Sequence, residues 1–191
     1  MVHRSRMLHD SQMLIRAERP DDVDAVRDVH RRAFGEERVA RLVDALRSAP
    51  ATLAPVSLVA TVDGQVVGHV LLSASRLDAP LRLVDVLVLS PLGVLPEHQR
   101  RGAGTALVER ALPAAEATGA PLLFLEGSPS YYGRRGFAEG GPLGFRKPSL
   151  RIPDAGFQVA RLGSYEPWMT GTLVYSEPFW ALDSVGLRDP A

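Results

Sequence analysis

The sequence predicts a mixed α+β domain built around one central, mostly antiparallel sheet flanked by helices. Three observations predict it. Two amphipathic helical stripes stand near the N-terminus, a β-rich hairpin follows them, and a strand–loop–helix–strand unit comes next. A chain of 191 residues, 46% of them hydrophobic, suffices for one core, so residues 13–191 are expected to form a single domain behind a flexible tail at 1–12.

The elements follow in order. Met13 to Ala17 reads as a short first strand. Pro20 suits the first turn of a helix, and Asp21 and Asp22 stand where the helix dipole favours negative charge. Val23, Val26, Val29 and Ala33 then recur at helical spacing. After Gly35, the stripe Val39, Leu42, Val43 and Leu46 predicts a second helix ending near Pro50. Leu58 to Leu72 reads as a hairpin, because Asp63-Gly64 is a type I′ turn signal between two β-rich runs. Leu83 to Leu89 is apolar nearly throughout, as a central strand covered on both faces should be, with Asp85 its one charge. Pro91, Gly93 and Pro96 then break the regularity and predict a loop to Arg101. A helix is expected from about Thr105 to Thr118, weakened at Pro113 and ended by Gly119. Leu122 to Leu125 is the next strand. Ser128-Pro129 reads as a helix cap followed by proline at the first helical position, and that short helix should stop at Gly136. Phe157 to Leu162 and Gly171 to Tyr175 are the remaining strand candidates.

Composition narrows the function. Lys+Arg and Asp+Glu are both 22, so the basic surplus of a nucleic-acid binder is missing and no nucleic-acid partner is expected. There is no cysteine, which excludes disulfides, thiolate metal sites and a cysteine nucleophile. His30, His69 and His98 lie far apart with no ligand spacing, and His3 and His9 fall in the tail, so no metal is expected. No apolar run approaches a membrane span and the N-terminus lacks the apolar core of a secretory signal, so a cytoplasmic protein without a membrane partner is expected.

The segment from Gln99 to Thr105 carries chemistry. A glycine-containing turn with Arg100 and Arg101 leads into a helix. A helix N-terminus offers unpaired N–H groups and partial positive charge, and glycines let a phosphate approach the backbone closely. A pyrophosphate is the expected ligand. A P-loop would need a lysine after its last glycine, where Thr105 stands. A dinucleotide fingerprint would need a third glycine, where Leu107 stands, and would sit directly at a strand end.

The run Val94-Leu95-Pro96-Glu97-His98-Gln99-Arg100-Arg101-Gly102-Ala103-Gly104 resembles motif A of the GNAT superfamily of acetyl-CoA-dependent N-acetyltransferases, with Gln99, Gly102 and Gly104 matching its core. Tyr132-Gly133-Arg134-Arg135-Gly136-Phe137 resembles the family's motif B. The longer stretch from Gly127 is similar to a G-D-P-x-Y-Y-x-R-x-G-F run of one bacterial branch of predicted acetyltransferases, with Ser128 in place of Asp. Leu89 to Val94 resembles that branch's L-x-P-L-A-V, with Gly93 in place of Ala. The resemblance covers Met13 to Phe137 and thins from Gly140 onward.

The resemblance implies a GNAT-like fold with splayed central strands and acetyl-CoA as co-substrate. Backbone groups of Leu92, Gly93 and Val94 would bind the pantetheine arm, and the Leu92 N–H would polarise the thioester carbonyl. Gln99, Arg100, Arg101, Gly102, Ala103, Gly104 and Thr105 would hold the pyrophosphate. A primary amine, on a small molecule, an amino acid or a peptide N-terminus, would attack the thioester directly. Tyr132 stands at the general-acid position, and its phenol is protonated at neutral pH. Members of the family often pair as homodimers, an assembly the resemblance allows here.

Some departures bear on mechanism. Val88 occupies the place of a glutamate base found in some histone-modifying relatives, and Leu125 the place of a cofactor-binding asparagine. Asp85 and Glu126 are the candidate bases, with a paired strand charge and a solvated strand end as their plain structural readings, and a water chain, as the resemblance implies for many relatives, is the alternative to both. Tyr131 reads as core or pocket wall, Arg134 and Arg135 as a solvated helix face in preference to a contact with cofactor phosphate, and Trp168, Phe179 and Trp180 as core in preference to a lining of the acceptor site. The absent base and Leu125 motivate a second reading, a non-catalytic acyl-CoA-binding or regulatory module.

Overall fold

A computed structural model describes residues 12–188, so the tail expected at 1–12 lies outside the described residues up to position 11. Nine strands form one mixed sheet. In chain order they are β1 (Met13–Ala17), β2 (Val56–Val62), β3 (Gln65–Asp78), β4 (Leu83–Val94), β5 (Leu122–Glu126), β6 (Ala138–Glu139), β7 (Phe145–Arg146), β8 (Phe157–Arg161) and β9 (Gly171–Val174). The spatial order is β1-β2-β3-β4-β5-β8-β6, with β9 joining β3 and β7. Pairings are antiparallel except β4 with β5 and β7 with β9.

The helices are α1 (Val23–Phe34), α2 (Glu37–Ser48), α3 (Ala103–Glu116), α4 (Pro129–Tyr132) and α5 (Glu177–Ala181). A short 3-10 turn, Pro20–Asp22, leads into α1. Asp22 accepts from the Arg19 N–H at 2.7 Å and pairs with Arg16 at 2.6 and 2.9 Å, so it ties the helix entry to β1. Gly35 ends α1 in the left-handed conformation, φ 72°, with its N–H donating to the Arg31 carbonyl.

The apolar pattern sorts onto the two faces of the sheet. Along β4, Val86 and Val88 pack with Val26, Leu42, Leu46 and Phe124 in one cluster, while Leu87 and Leu89 pack with Leu107, Val108, Leu123 and Leu125 in the other. Period-2 alternation places successive side chains on opposite faces, so β4 is apolar throughout because both faces are covered. Leu107, Val108, Ala111 and Ala115 of α3 are fully buried, and a leucine such as Leu107 contributes about 1.5–3 kcal/mol by leaving water.

Several sequence readings need correction. The loop expected from Pro91 is instead the second half of β4, which runs to Val94 with a cis Ser90–Pro91 peptide. The register against β3 jumps from Val70↔Leu92 to Leu72↔Leu89, so Pro91 sits in a bulge, a place where a missing N–H breaks no ladder bond. Strand β3 extends past Leu72 to Asp78, and α3 starts at Ala103 rather than Thr105 because Gly102, at φ 93°, turns the chain into the helix. Ser128 takes the cap position of α4, but its hydroxyl contacts Ser130 Oγ at 2.9 Å instead of capping. The short elements β6, β7 and α5 have too few residues to show a period in the sequence.

Candidate functional site

The parallel pair β4–β5 is short. Leu87 faces Leu123 and Val88 faces Phe124; beyond that β4 stays on β3 through Val94 while β5 stays on β8 through Glu126. The two strands therefore part, and Leu92, Gly93 and Val94 lie along the gap. The Leu95 N–H donates to the Val67 carbonyl of β3 at 2.8 Å. Because N–H groups alternate sides along a strand, Gly93 also directs its N–H toward β3, whereas Leu92 and Val94 direct theirs into the gap.

At the C-terminal end of this gap stands the turn Gln99–Thr105. Gln99 donates from Nε2 to the Val94 carbonyl at 3.0 Å, which ties the turn back to β4. Arg100 has φ 59° and Gly102 φ 93°, both left-handed, and such a run of backbone N–H groups forms an anion-binding concavity. The first helical bond is Ala106 N–H to the Gly102 carbonyl, and among the described residues nothing accepts from the N–H groups of Arg100 to Thr105. Gln99, Arg100, Arg101 and Gly102 are exposed, while Ala103 is buried and Gly104 and Thr105 are half-buried. A side chain at Gly102 would meet nothing within 4 Å, so the space above it is open; a Cβ at Gly104 would lie 3.2 Å from the Tyr131 hydroxyl oxygen.

Helix α4 is docked onto this turn. Arg135 donates to Thr105 Oγ1 at 2.8 Å and to the Tyr131 carbonyl, and its guanidinium lies 3.9 Å from the Tyr131 ring centroid. Arg135 is thus held inside the site's frame, not on a solvated face; Arg134 is exposed as expected. Tyr131 forms the wall between α4 and α3.

At the other end of the gap a cavity of about 340 Å³ opens. Leu92, Pro91 and Leu89 of β4, Glu126, Tyr132 and Phe34 line it, with Asp183 to Gly186 closing one side. Tyr132 packs edge-on to Tyr131 at 4.8 Å and to Phe137 at 5.8 Å, and a Cβ at Gly127 would strike its ring at 2.3 Å. Burial pushes its phenol up to about 12. Burial likewise raises the Glu126 carboxyl above the ordinary carboxylate range, against the opposing pull of the hydrogen bonds it accepts from the Tyr175 hydroxyl at 2.8 Å and the Gly186 N–H at 3.1 Å.

The other candidates fall elsewhere. Asp85 lies near the start of β4 and faces Arg76 at 3.6 Å, the paired strand charge of its plain reading. Phe179 is in the core, Trp168 packs against it with Arg82 over its ring, and Trp180 is 41% exposed, so only Trp180 departs from the core expectation. Among the described residues no group of His, Cys, Asp and Glu could hold a metal ion.

One cluster is not legible from any spacing in the sequence. His30 of α1 and His69 of β3, far apart in the chain, meet at 2.7 Å between Nε2 and Nδ1. His69 Nε2 lies 2.7 Å from Ser57 Oγ, and Glu18 accepts from both Ser57 and Arg47. Burial opposes the Glu18 charge, yet the His69 ring, whose Nε2 lies 3.5 Å from Oε2, and the hydrogen bonds from Ser57 and Arg47 together hold its carboxyl down at about 2. Burial holds His30 down at about 3 and His69 below its ordinary value, so both rings are neutral. The only hint in the sequence is that both histidines fall on core-facing positions of their elements.

Residues 14–140 match the family model described as an acetyltransferase (GNAT) domain. The uncharacterized N-acetyltransferase YjhQ of Escherichia coli strain K12 is 33% identical over 165 residues, 82% of this chain and 88% of its own. Among solved structures, the GNAT family N-acetyltransferase YhbS of E. coli in complex with CoA superimposes with a TM-score of 0.77 at 29% identity, over 88% of this chain and 92% of that one. A GNAT family acetyltransferase from Brucella melitensis in complex with acetyl-CoA gives a TM-score of 0.69 at 32% identity, over 88% and 99%.

Proposed function

The chain belongs to the GNAT family of acetyltransferases, and on that premise we propose that it transfers the acetyl group of acetyl-CoA directly to a primary amine held beside Tyr132. One observation carries the reading: a single gap joins the unpaired N–H groups of the Arg100–Thr105 turn to the cavity containing Tyr132 and Glu126. The CoA and acetyl-CoA complexes of the two solved relatives support the same co-substrate.

In this reading the pyrophosphate sits on the N–H groups of Arg100 to Thr105, with the Arg100 and Arg101 side chains at the mouth and Gln99 bracing the turn. The pantetheine arm runs along Leu92, Gly93 and Val94 as an added strand. The Leu92 N–H donates to the thioester carbonyl, which gains negative charge as the amine attacks. The C–N bond forms, the C–S bond breaks, and no acyl-enzyme arises. Glu126 takes the proton the nitrogen loses, which a carboxylate with raised proton affinity does better than an ordinary one. Tyr132 gives its proton to the departing thiolate. The burial that holds the phenol protonated also raises the proton affinity of the thiolate leaving into the same cavity.

The acceptor is a small molecule, an amino acid or a peptide N-terminus entering past Phe34 and the Asp183 loop. In this reading Glu126 answers one of the two motives for a non-catalytic acyl-CoA binder, because the base missing at Val88 has a counterpart in the cavity; Leu125 still departs from the family's asparagine. The described residues include no helix long and apolar enough to cross a membrane. Incubation with acetyl-CoA and a panel of primary amines, read by free-thiol release, is expected to show turnover on at least one acceptor. Saturable cofactor binding without thiol release on any amine would favour the non-catalytic module instead.

A further inference from the structure

The buried chain Glu18–Ser57–His69–His30 ends against the strand that lines the gap. Its protons follow from chemistry. Glu18 is ionised beside Arg47 and only accepts, so the Ser57 hydroxyl donates its one proton to it. Ser57 Oγ, 2.7 Å from His69 Nε2, therefore accepts from that nitrogen. A neutral His69 with its proton on Nε2 has a bare Nδ1, which accepts from His30 Nε2–H at 2.7 Å. A neutral His30 with its proton on Nε2 has in turn a bare Nδ1. That atom is buried and has no hydrogen-bond partner among the described residues.

The bare nitrogen faces Gly93. A Cβ placed on Gly93 would lie 2.9 Å from His30 Nδ1 and 3.1 Å from Cε1, with Val29 Cγ1 at 3.4 Å. Gly93 is not among the glycines with positive φ, so clearance for the imidazole, not backbone freedom, is what the glycine supplies here. On either side of Gly93, Leu92 and Val94 direct their N–H groups into the gap. His30 also stacks on Phe34, a wall of the cavity, at 6.0 Å.

We propose that His30 is a positioning residue for the acyl-binding half of β4: Glu18, Ser57 and His69 fix its tautomer and rotamer, and the ring seated against Gly93 fixes the direction of the Leu92 and Val94 N–H groups. This rests on the reading that those groups bind the thioester arm. The relay runs through β2, β3 and α1 and ends on β4, and Arg47 of α2 anchors its far end. It gives the end of β4 that has left β5 a support from α1.

The test is a coupled pair of variants. Gly93→Ala places a methyl against the ring and is expected to weaken acetyl-CoA binding, measured by calorimetry, by about 10-fold or more, since small displacements of positioning groups are costly. His30→Ser removes the ring, and the double variant Gly93→Ala/His30→Ser should bind acetyl-CoA within about 3-fold of His30→Ser alone, the non-additivity of residues in contact. Nitrogen NMR of histidine-labelled protein should show His30 protonated on Nε2, with an Nδ1 signal that moves when acetyl-CoA binds. Wild-type affinity in Gly93→Ala, even with a lowered melting temperature, would reduce the contact to packing and overturn the inference. So would a proton on Nδ1. If Gly93→Ala fails to fold, Ser57→Ala tests the same relay: a mixed His30 tautomer with a raised KM for acetyl-CoA supports it, and an unchanged tautomer and KM overturn it. Absence of acetyl-CoA binding by the wild-type protein would instead defeat the reading of the cleft itself, whatever the tautomer.

Discussion

Tyr132 and Glu126 face one cavity from two elements, and the environments of both raise their proton affinity. For the proposed acid and the proposed base this has opposite consequences. Tyr132 stays protonated up to about 12, so it imposes no loss of activity across the neutral and mildly alkaline range. As the proposed base Glu126 must be ionised, so activity should rise with pH through a value above the ordinary carboxylate range. With an acceptor amine that is uncharged throughout, Glu126→Gln should abolish that rise and lower kcat by about 10²–10⁴, the usual contribution of a positioned acid or base. Tyr132→Phe should lower kcat by a similar factor of about 10²–10⁴ with little change in acetyl-CoA affinity. An unchanged kcat across pH in either variant would remove that residue from the chemistry. At this scale the sequence was partly readable. Tyr132 stood in a local motif, and Glu126 was one of two carboxylates that only the fold could separate: one ends β5 at the cavity, and the other pairs with Arg76. The His30–His69 contact was not readable, because no short spacing joins a residue of α1 to one of β3.

Two elements, the second half of β4 and the N-terminus of α3, build the proposed cofactor cleft. The helix was legible because its signals are local: glycine in the turn, then an apolar stripe buried at Leu107, Val108, Ala111 and Ala115. The strand was not, because Pro91 and Gly93 read as breakers. Only the register against β3 shows that one sits in a bulge and the other gives room to a side chain from α1. The turn between these elements makes the sharpest prediction. Gly102→Val puts a branched side chain on a residue at φ 93° and into open space above the turn. It should weaken acetyl-CoA binding by about 10²-fold, as misplacement of a binding group does. The folded state should also lose on the order of 1–2 kcal/mol from the left-handed conformation. Calorimetric titration and denaturant melts separate the two effects; undiminished affinity would move the pyrophosphate elsewhere.

On the scale of the whole molecule, the sheet is covered on both faces and carries ionisable groups between its strands and α1 and α2. Glu18, Ser57, His69, His30 and Arg47 join α1, α2, β2 and β3, so their protonation state is a property of the fold and not of one element. His30 falls from its ordinary value of 6.5 to about 3 in the folded chain because burial disfavours its charge, and His69 falls in the same direction. Between those values the unfolded chain binds protons that the folded chain does not. Stability is therefore complete above about pH 6.5 and declines as pH falls, by up to about 1.4 kcal/mol per pH unit from His30, with His69 acting in the same direction. Glu18 falls from 4.5 to about 2, so its stabilising charge is present above 4.5 and is lost as pH drops toward 2. The His30 and Glu18 windows overlap between 4.5 and about 3, so stability should fall first from the histidines and then from Glu18 as well. Urea midpoints measured from pH 8 to pH 4 should decrease below about 6.5 in the wild-type protein. In His30→Gln, which keeps an amide donor but no titrating ring, the decline over the same range should be shallower. Equal slopes in the two proteins would show that His30 is charged in the folded state or that its burial is relieved there, and would break the link between the hidden histidine pair and the stability of the sheet it braces.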